Sequence, residues 1–518
     1  MTGKVWLVGA GPSNIGLFTI RGKELLEQAQ VVLYDHLVGQ DILSLIPENA
    51  KCIEVEKYMG GHTMPQERQE QINQVLLKEV QEGKRVVHLK GGDPLLFDRG
   101  DEELLCLVKH HIPFEIVPGV TSAISVPAYN GIPVIHKDCM SSLHIIAGNR
   151  DTDLKGCTQN MDHADCFIDF EALVRTKGTL VFLMGISALA SICQGLMKGG
   201  MSPNMPAAVL QQGTTAGQKK VVSTIDALAD EVKKQGMQNP AILVVGTACA
   251  YADEFSWYEK LPLFGNKIIV TSPKERIFPI ATKLRELGAQ VLELPTIKTK
   301  PILQNKQLKE EIQHLSDYQY IVFTSPSGVN IFFDALKEQR ADIRCIGDAK
   351  IAVIGPGAKK EVEKRGLHVD LMPAQYDGRE LGIMLGTICK DADKLLIPRA
   401  KTGNPQIIEE IKRRKSVTIT DLPIYDTIYE PQSLLIDQKE EIKSGKVSIV
   451  VFTSASTVRG FAETTKDLDY TLLKAVCIGR HTRAEAEALG MKTAIAKEAT
   501  VDSLVERIVE LAQTKKFN

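Results

Sequence analysis

Phe323-Thr-Ser-Pro-Ser-Gly-Val-Asn-Ile-Phe-Phe333 reappears later in the chain as Phe452-Thr-Ser-Ala-Ser-Thr-Val-Arg-Gly-Phe461. The echo extends on both sides. Ile351-Ala-Val-Ile-Gly-Pro-Gly357, a charged stretch and Gly366-Leu-His-Val369 return as Ala475-Val-Cys-Ile-Gly-Arg480, a charged stretch and Gly490-Met-Lys-Thr493. Upstream, 268–297 is echoed by 395–424, each reading strand, helix, second strand, Leu-Pro. Three matched blocks in one order predict a duplicated α/β unit. The first 260 residues contain no copy, so at least two proteins are joined here.

A length of 518 residues sets a prior of three or four domains. A net charge of −2 gives no electrostatic case for nucleic acid or an anionic membrane as partner. No apolar run reaches the roughly 18 residues of a membrane helix. The amino terminus runs straight into a strand, so no signal peptide is expected. The ten cysteines show no CxxC and no zinc-ligand spacing. They are expected as buried small hydrophobes in a reducing cytoplasm, with no metal site.

Along the first half, Val5–Val8, Val31–Tyr34 and Arg85–Leu89 read as strands, and Thr19–Ala29 as a helix. Pro65 suits a helix start, and Ile72, Val75, Leu76 and Val80 mark one apolar face. Alternating strands and helices predict a largely parallel sheet. A second α/β segment begins near Leu143 and includes 179–184 and 241–245. The stretch 149–174 reads as an irregular surface excursion, and 253–266 as a linker.

Gly9-Ala-Gly11-Pro12 after one strand and Asp35 after the next imitate a dinucleotide fingerprint. The match is poor. Gly16 falls five residues after Gly11 instead of three, and Pro12 removes an amide that would face a pyrophosphate. A purely structural tight turn remains open.

A larger set accounts for more residues. VGAGP, VVLYDHLV, HTMPQERQEQIN, LKGGDPLLFDRGDEE, PGVTSA, AYNGIPVIH, TLVFLMG, QQGTT and NPAILVVG occur in one order over about residues 3–250. Together they resemble uroporphyrinogen-III C-methyltransferase, of the tetrapyrrole methylase family. That resemblance implies transfer of two methyl groups from S-adenosylmethionine to uroporphyrinogen III, giving precorrin-2 on the sirohaem and cobalamin branch. It places Gly91, Gly92 and Asp93 on the methyl donor, with Pro12, Leu96, Thr121, Ser122, Met184, Gly213 and Ala241 lining the pocket. Glycines permit close backbone approach, and an aspartate accepts from amino or hydroxyl groups. Met184 as plain core is an equal alternative. Asp35 is the candidate to orient a pyrrole N–H or take a proton, and Lys57 stands beside it as a catalytic candidate. Lys57, His62, Arg99 and Lys137 are candidates for the substrate's carboxylates, each otherwise a solvated charge. A homodimer through this half is implied as well.

The chain departs from that family in places. Gly11-Pro12-Ser13-Asn14 stands where the family has Gly-Pro-Gly-Asp, and Gly131-Ile-Pro-Val-Ile-His-Lys137 lacks a threonine and an arginine. The excursion at 149–174 is also long.

The duplicated region has no Walker loop, no GxSxG and no paired carboxylates. It does have Thr324, Ser325 and Ser327 in one copy and Thr453, Ser454 and Ser456 in the other, at matched strand ends. Such turns form anion-receiving nests, or equally serve as helix N-caps. VFTSxxxV twice, with IGPGAKKEV, LPIYDT and CIGRHTRAEAEALG, resembles uroporphyrinogen-III synthase over about 265–518. That resemblance implies cofactor-free closure of hydroxymethylbilane with inversion of ring D, by two lobes joined through a two-stranded connector. Catalysis would be mostly positional. Tyr425 matches the tyrosine that protonates the leaving hydroxyl; otherwise it is a half-buried strand tyrosine. Arg399, Lys274, Arg276 and Arg459 are further candidates for carboxylate contacts.

The expected architecture is therefore α/β throughout. A methylase at 1–250 has sub-domains of about 1–138 and 139–250, followed by a linker at 251–264. A synthase at 265–518 has one lobe of about 265–298 plus 428–518 and another of 299–427. Two alternatives remain: a methylase whose second half only binds a tetrapyrrole or a partner, and a nicotinamide-dependent enzyme.

Overall fold

An apolar run without alternation fits a strand buried on both faces. Lys4–Gly9 (β1) is such a strand, with Val5, Leu7 and Val8 fully buried. The computed structural model describes residues 3–47, 49–55, 65–137, 141–148, 168–429, 440, 442–445, 447–466 and 468–514, leaving aside the side chains at 65–66 and 274–276. The chain forms two compact units, 1–265 with 287–292 and 266–286 with 293–518.

In the first unit β2 (Val31–Tyr34), β3 (Lys51–Glu54), β4 (Arg85–Lys90) and β5 (Phe114–Val117) join β1 in the order β3-β2-β4-β1-β5. Every pairing is parallel. The helix Ile20–Leu26 covers the Trp6 and Val8 face. Helices Pro65–Gln81 and Gly100–Lys109 cover the Val5 and Leu7 face.

The second sheet holds β6 (Leu143–Ala147), β7 (Thr179–Leu183), β8 (Pro206–Gln211), β9 (Lys219–Thr224) and β10 (Ala241–Val245), in the order β6-β7-β10-β8-β9. The largely parallel sheet expected from the early strands is the first one, and this second sheet differs from it. Only β6 and β7 are parallel, and the other pairings are antiparallel. The turn at 212–218 is too short for the crossover that a parallel β8–β9 pair requires.

Within the stretch expected to be irregular, Phe170–Arg175 is a helix capped by Asp169, whose Oδ1 accepts from the Ala172 amide at 2.8 Å. Its residues 149–167 lie outside the described residues. The stretch read as a linker is folded: Tyr258 and Leu263 are buried, and Trp257 and Tyr258 each hold their rings 4.9 Å from Tyr129.

The second unit contains β11 (Lys267–Thr271), β12 (Gln290–Glu293), β13 (Ile297–Pro301), β14 (Tyr320–Phe323), β15 (Lys350–Val353), β16 (Lys394–Ala400), β17 (Thr418–Tyr429), β18 (Ile449–Phe452), β19 (Lys474–Cys477) and β20 (Lys492–Ile495). They form two sheets, β12-β11-β18-β19-β20 and β13-β17-β16-β14-β15. The matched sequence blocks occupy matched places: β12-β11-β18-β19 corresponds strand for strand to β17-β16-β14-β15. Each sheet therefore takes its first two strands from one repeat and its next two from the other. β17 runs parallel to β16 in its first part, then antiparallel to β13 from Tyr425 to Tyr429. That two-stranded ribbon is the passage between the lobes.

Packing repeats with the sequence. Phe323 and Phe332 meet edge to face at 5.4 Å, and Phe452 and Phe461 do so at 5.5 Å. Gly460 replaces the bulk of Ile331 because a Cβ there would lie 2.6 Å from Ile297 and 2.7 Å from the Thr296 carbonyl. Both Phe332 and Phe461 are fully buried. Phe332→Ala and Phe461→Ala are each expected to destabilise by about 3–5 kcal/mol, read as matching shifts in chemical denaturation of the second unit.

Candidate active sites

Three loops converge at the carboxyl edge of the first sheet, after β1, β4 and β5. Gly11 and Gly92 exchange backbone hydrogen bonds of 3.1 and 3.0 Å. A Cβ on Gly9 would lie 2.4 Å from the Gly119 amide nitrogen, and one on Gly119 would lie 2.0 Å from the Gly92 carbonyl oxygen. No side chain fits between these loops. Gly92 has φ +68°, and its missing Cβ points into open space. The Asp93 carboxylate, expected to meet a ligand, joins two loops: Oδ2 accepts from Gly119 N of the loop after β5 at 3.1 Å, and Oδ1 accepts from Leu95 N of its own loop at 3.0 Å. Thr121 caps the helix Ser122–Tyr129, accepting from Ala123 N at 3.2 Å. Leu96 is half-buried beside this turn.

The second sheet supplies the facing wall. Thr214 Oγ1 donates to the Pro12 carbonyl at 2.6 Å, and Asn14 Nδ2 donates to the Thr214 carbonyl at 3.4 Å. Ser13, Met184 and Thr214 all hold positive φ without being glycine. Strain of this kind, of order 1–3 kcal/mol each, gathers at functional sites. Ser13 offsets part of its cost by donating to the Leu37 carbonyl at 2.7 Å. Met184 is 41% exposed, which removes the plain-core alternative. Gly213 packs on Val126, where a Cβ would clash at 2.3 Å. Ala241, expected to line the pocket, has its methyl in the core of the second sheet.

Below Gly91 lies a chain of buried charge. Asp35, at the end of β2, accepts from Gly91 N at 3.3 Å. His88 Nε2 stands 3.9 Å from Asp35 Oδ1, and His88 Nδ1 meets Glu103 Oε2 at 2.9 Å. Lys90 reaches Glu103 at 2.7 Å and Asp98 at 3.1 Å. Burial is the largest influence on His88 and opposes its charge, as does Lys90, but the Glu103 and Asp35 carboxylates together outweigh them and push the imidazole up to about 9. Burial likewise opposes charge on Glu103, and His88 with Lys90 brings it down to about 2. Burial works against Asp35 too, yet His88, Lys90 and the Gly91 amide hold it below the usual carboxylate range. The sequence carried one sign of this cluster: a histidine and a lysine two apart among the valines and leucine of β4.

Of the remaining candidates, Arg99 pairs with Glu102 at 3.5 Å and Lys137 is exposed in a turn. Lys57 and His62 lie outside the described residues.

In the second unit Ser325 caps the helix Pro326–Glu338, accepting from Gly328 N at 2.9 Å. The same hydroxyl meets Tyr425 Oη at 2.7 Å. Thr324 precedes it, half-buried at the end of β14. In the other lobe Ser454 caps Ala455–Thr464, and Thr453 Oγ1 meets Ser272 Oγ at 2.6 Å. The next helix of each lobe, Pro356–Glu363 and Arg480–Ala488, starts at a glycine with no side-chain cap. Each lobe thus sets one capped and one uncapped helix start side by side. Arg399, a candidate for carboxylate contact, is engaged within the protein. Its guanidinium holds Asp421 through two bonds of 2.6 and 2.7 Å and donates to the Asn404 carbonyl at 2.6 Å. Arg459 is paired with Glu485. The side chains of Lys274 and Arg276 lie outside the described ones. Among the described residues no cluster of His, Cys, Asp or Glu fits a metal, and no helix is long and apolar enough to cross a membrane.

The buried pair has a pH signature. Glu103, lowered from 4.5, adds stability that is present above 4.5 and lost as pH falls toward about 2. His88, raised from 6.5, adds stability that is present below 6.5 and lost as pH rises through about 9. The stability gap between wild type and His88→Gln is therefore expected to narrow from pH 6.5 to about 9, measured by urea denaturation across that range.

Residues 4–229 match the family of tetrapyrrole (corrin/porphyrin) methylases, and 279–506 match uroporphyrinogen-III synthase HemD. The chain is 40% identical to the porphyrin biosynthesis protein HemD of Ruminiclostridium josui, over 98% of each. It is 40% identical to the uroporphyrinogen-III C-methyltransferase of Bacillus subtilis, over 73% of this chain and 74% of that one. Among solved structures, the uroporphyrin-III C-methyl transferase of Thermus thermophilus, complexed with S-adenyl homocysteine, aligns at 32% identity, over 48% of this chain and 99% of that one, with a TM-score of 0.39. Duplicated lobes that follow a methylase sheet in sequence, matched over nearly the whole chain, make this protein a member of the family that fuses a tetrapyrrole methylase to a uroporphyrinogen-III synthase.

Proposed function

We propose that the chain carries hydroxymethylbilane to precorrin-2, its second unit closing the ring as uroporphyrinogen III and its first unit adding two methyl groups. The observation that carries this reading is the side-chain-free convergence of Gly9, Gly92 and Gly119 at a parallel sheet edge, open at Gly92. That cradle fits S-adenosylmethionine, because the backbone of Gly91 and Gly92 meets a small polar ligand without steric cost. Leu96, Thr121, Ser122, Met184 and Gly213 would surround it. Bound there, S-adenosylmethionine supplies an electrophilic methyl whose transfer to a pyrrole carbon leaves the electron pair on sulfur. Asp35, ionised and fixed by Gly91, accepts from the pyrrole N–H, balances the positive charge that grows on the ring, and takes the released proton. Arg99 and Lys137 are within the reading as carboxylate contacts, as are Lys57 and His62.

In the second unit the substrate is a flexible polycarboxylate that must be held folded. Two helix starts per lobe favour negative charge, each dipole contributing about 0.3–1 kcal/mol. Tyr425 Oη donates to the departing hydroxyl, and Ser325, with Thr324, Thr453 and Ser454 at the matched edges, orients it and the carboxylates. No cofactor is required in this half. A homodimer through the first unit belongs to the same reading, and light scattering of the intact chain decides it.

Gly119→Ala is expected to weaken S-adenosylhomocysteine binding at least about 10-fold, or about 1.4 kcal/mol, by calorimetry. Hydroxymethylbilane supplied without S-adenosylmethionine should give uroporphyrinogen III, and with it precorrin-2. Accumulation of only the uninverted isomer would sink the synthase claim and leave a binding module. Tyr425→Phe should slow ring closure about 100-fold while methylation of supplied uroporphyrinogen III is unchanged.

A further inference from the structure

β4 reads Arg85-Val-Val-His-Leu-Lys90, and strand alternation puts Val87 and Leu89 on one face and Val86, His88 and Lys90 on the other. His88 is completely buried, and its Nε2 has no hydrogen-bond partner among the described residues. A charge at this depth costs several kcal/mol unless paired, and strand packing alone is served by a valine, as at 86. The ring is paired on one side only. Glu103 takes Nδ1, while Nε2 is directed at Asp35 across 3.9 Å, an ion-pair distance too long for a hydrogen bond. Asp35 is the opening of the cluster, 23% exposed where Glu103 is fully buried.

We propose that His88 is a positioning residue for methyl transfer: an imidazolium clamped by Glu103 that keeps the Asp35 carboxylate ionised and directed at the substrate's pyrrole nitrogens. This rests on the role given to Asp35 above. The charged groups facing His88 are Asp35 from the end of β2, Glu103 from the helix 100–109, and Lys90 from its own strand, with Asp98 beyond Lys90. Gln69 from the helix 65–81 donates to Glu103 at 3.4 Å. Two cations thus serve three carboxylates. Without His88, Lys90 alone faces all three, and it stays with Glu103 and Asp98, which it already touches. Asp35 then loses its nearest positive charge and takes up a proton at higher pH. Since the ionised form is the working one, activity is lost sooner as pH falls.

The test is the pH profile of kcat/KM for uroporphyrinogen III methylation by the intact chain, for wild type, His88→Gln, His88→Lys and Asp35→Asn. His88→Gln should move the acid limb up by about 1–3 units, with S-adenosylhomocysteine affinity within about 2-fold. His88→Lys, which keeps a cation, should leave the limb in place. An unmoved limb in His88→Gln, or equal movement in both His88 variants, overturns the proposal. Asp35→Asn at the wild-type rate overturns the Asp35 role and the proposal with it. An inactive Asp35→Asn beside an unmoved His88→Gln overturns the proposal alone. Nitrogen-15 spectra of the wild-type imidazoles, with His88 assigned through His88→Lys, give a readout independent of the folding of His88→Gln. A charged ring at pH 8 supports the proposal, and a neutral ring overturns it.

Discussion

A parallel strand must pass the chain to a crossover helix at its carboxyl end, and that constraint decides where the chemistry of this protein gathers. In the first unit β1, β4 and β5 end at one edge, so three loops meet where their backbones alone can fit. In the second unit β14 and β15, and again β18 and β19, end side by side and pass into helices whose starts share an edge. The result is a glycine-walled cradle in one case and paired anion-receiving turns in the other. Both follow from the same geometry, filled with different residues.

The cradle is rigid because its parts are held from below. Asp93 holds one backbone amide of its own loop and one of the loop after β5, and Asp35 fastens Gly91. Beneath them, His88 and Lys90 on β4 stand where a doubly covered parallel strand usually carries aliphatic side chains, faced by Glu103 of the helix 100–109. Unpaired, each of these charges would oppose folding; as a cluster they are mutually satisfied except at His88 Nε2. Preorganised charge of this kind does not have to rearrange when positive charge appears on a substrate.

The α/β class, three of the five strands of the first sheet (β1, β2 and β4) and the helix 65–81 were legible because apolar runs and 3.6-residue periodicity are local signals. What was not legible depended on partners distant in sequence. That Asp93 accepts from the Gly119 amide, 26 residues on, appears only in the fold. Arg399 reads as a free cation, and its pairing with Asp421 on the adjacent strand and with the Asn404 carbonyl appears only in the fold. Tyr258 sits in a stretch that reads as a linker because its packing partner, Tyr129, lies in the helix 122–129. The antiparallel pairing of β8, β9 and β10 is likewise a choice among strands, which propensity does not encode.

The repeat shows the division most clearly. Sequence alone determined that the second unit is duplicated, that its blocks recur in one order, and that each copy carries a Phe pair and a Ser/Thr turn. The repeat by itself did not determine that the copies exchange strands; only the family resemblance implied it, through lobes of about 265–298 plus 428–518 and 299–427. Tertiary pairing decided that β11 lies beside β18, Ile268 opposite Ile449, while β16 lies beside β14. The physical reason is the ribbon: after β12 the chain leaves through β13, and β17 is long enough to border β16 and still run back along β13. Each lobe is then completed by strands from the other copy, and no local signal in either copy records that.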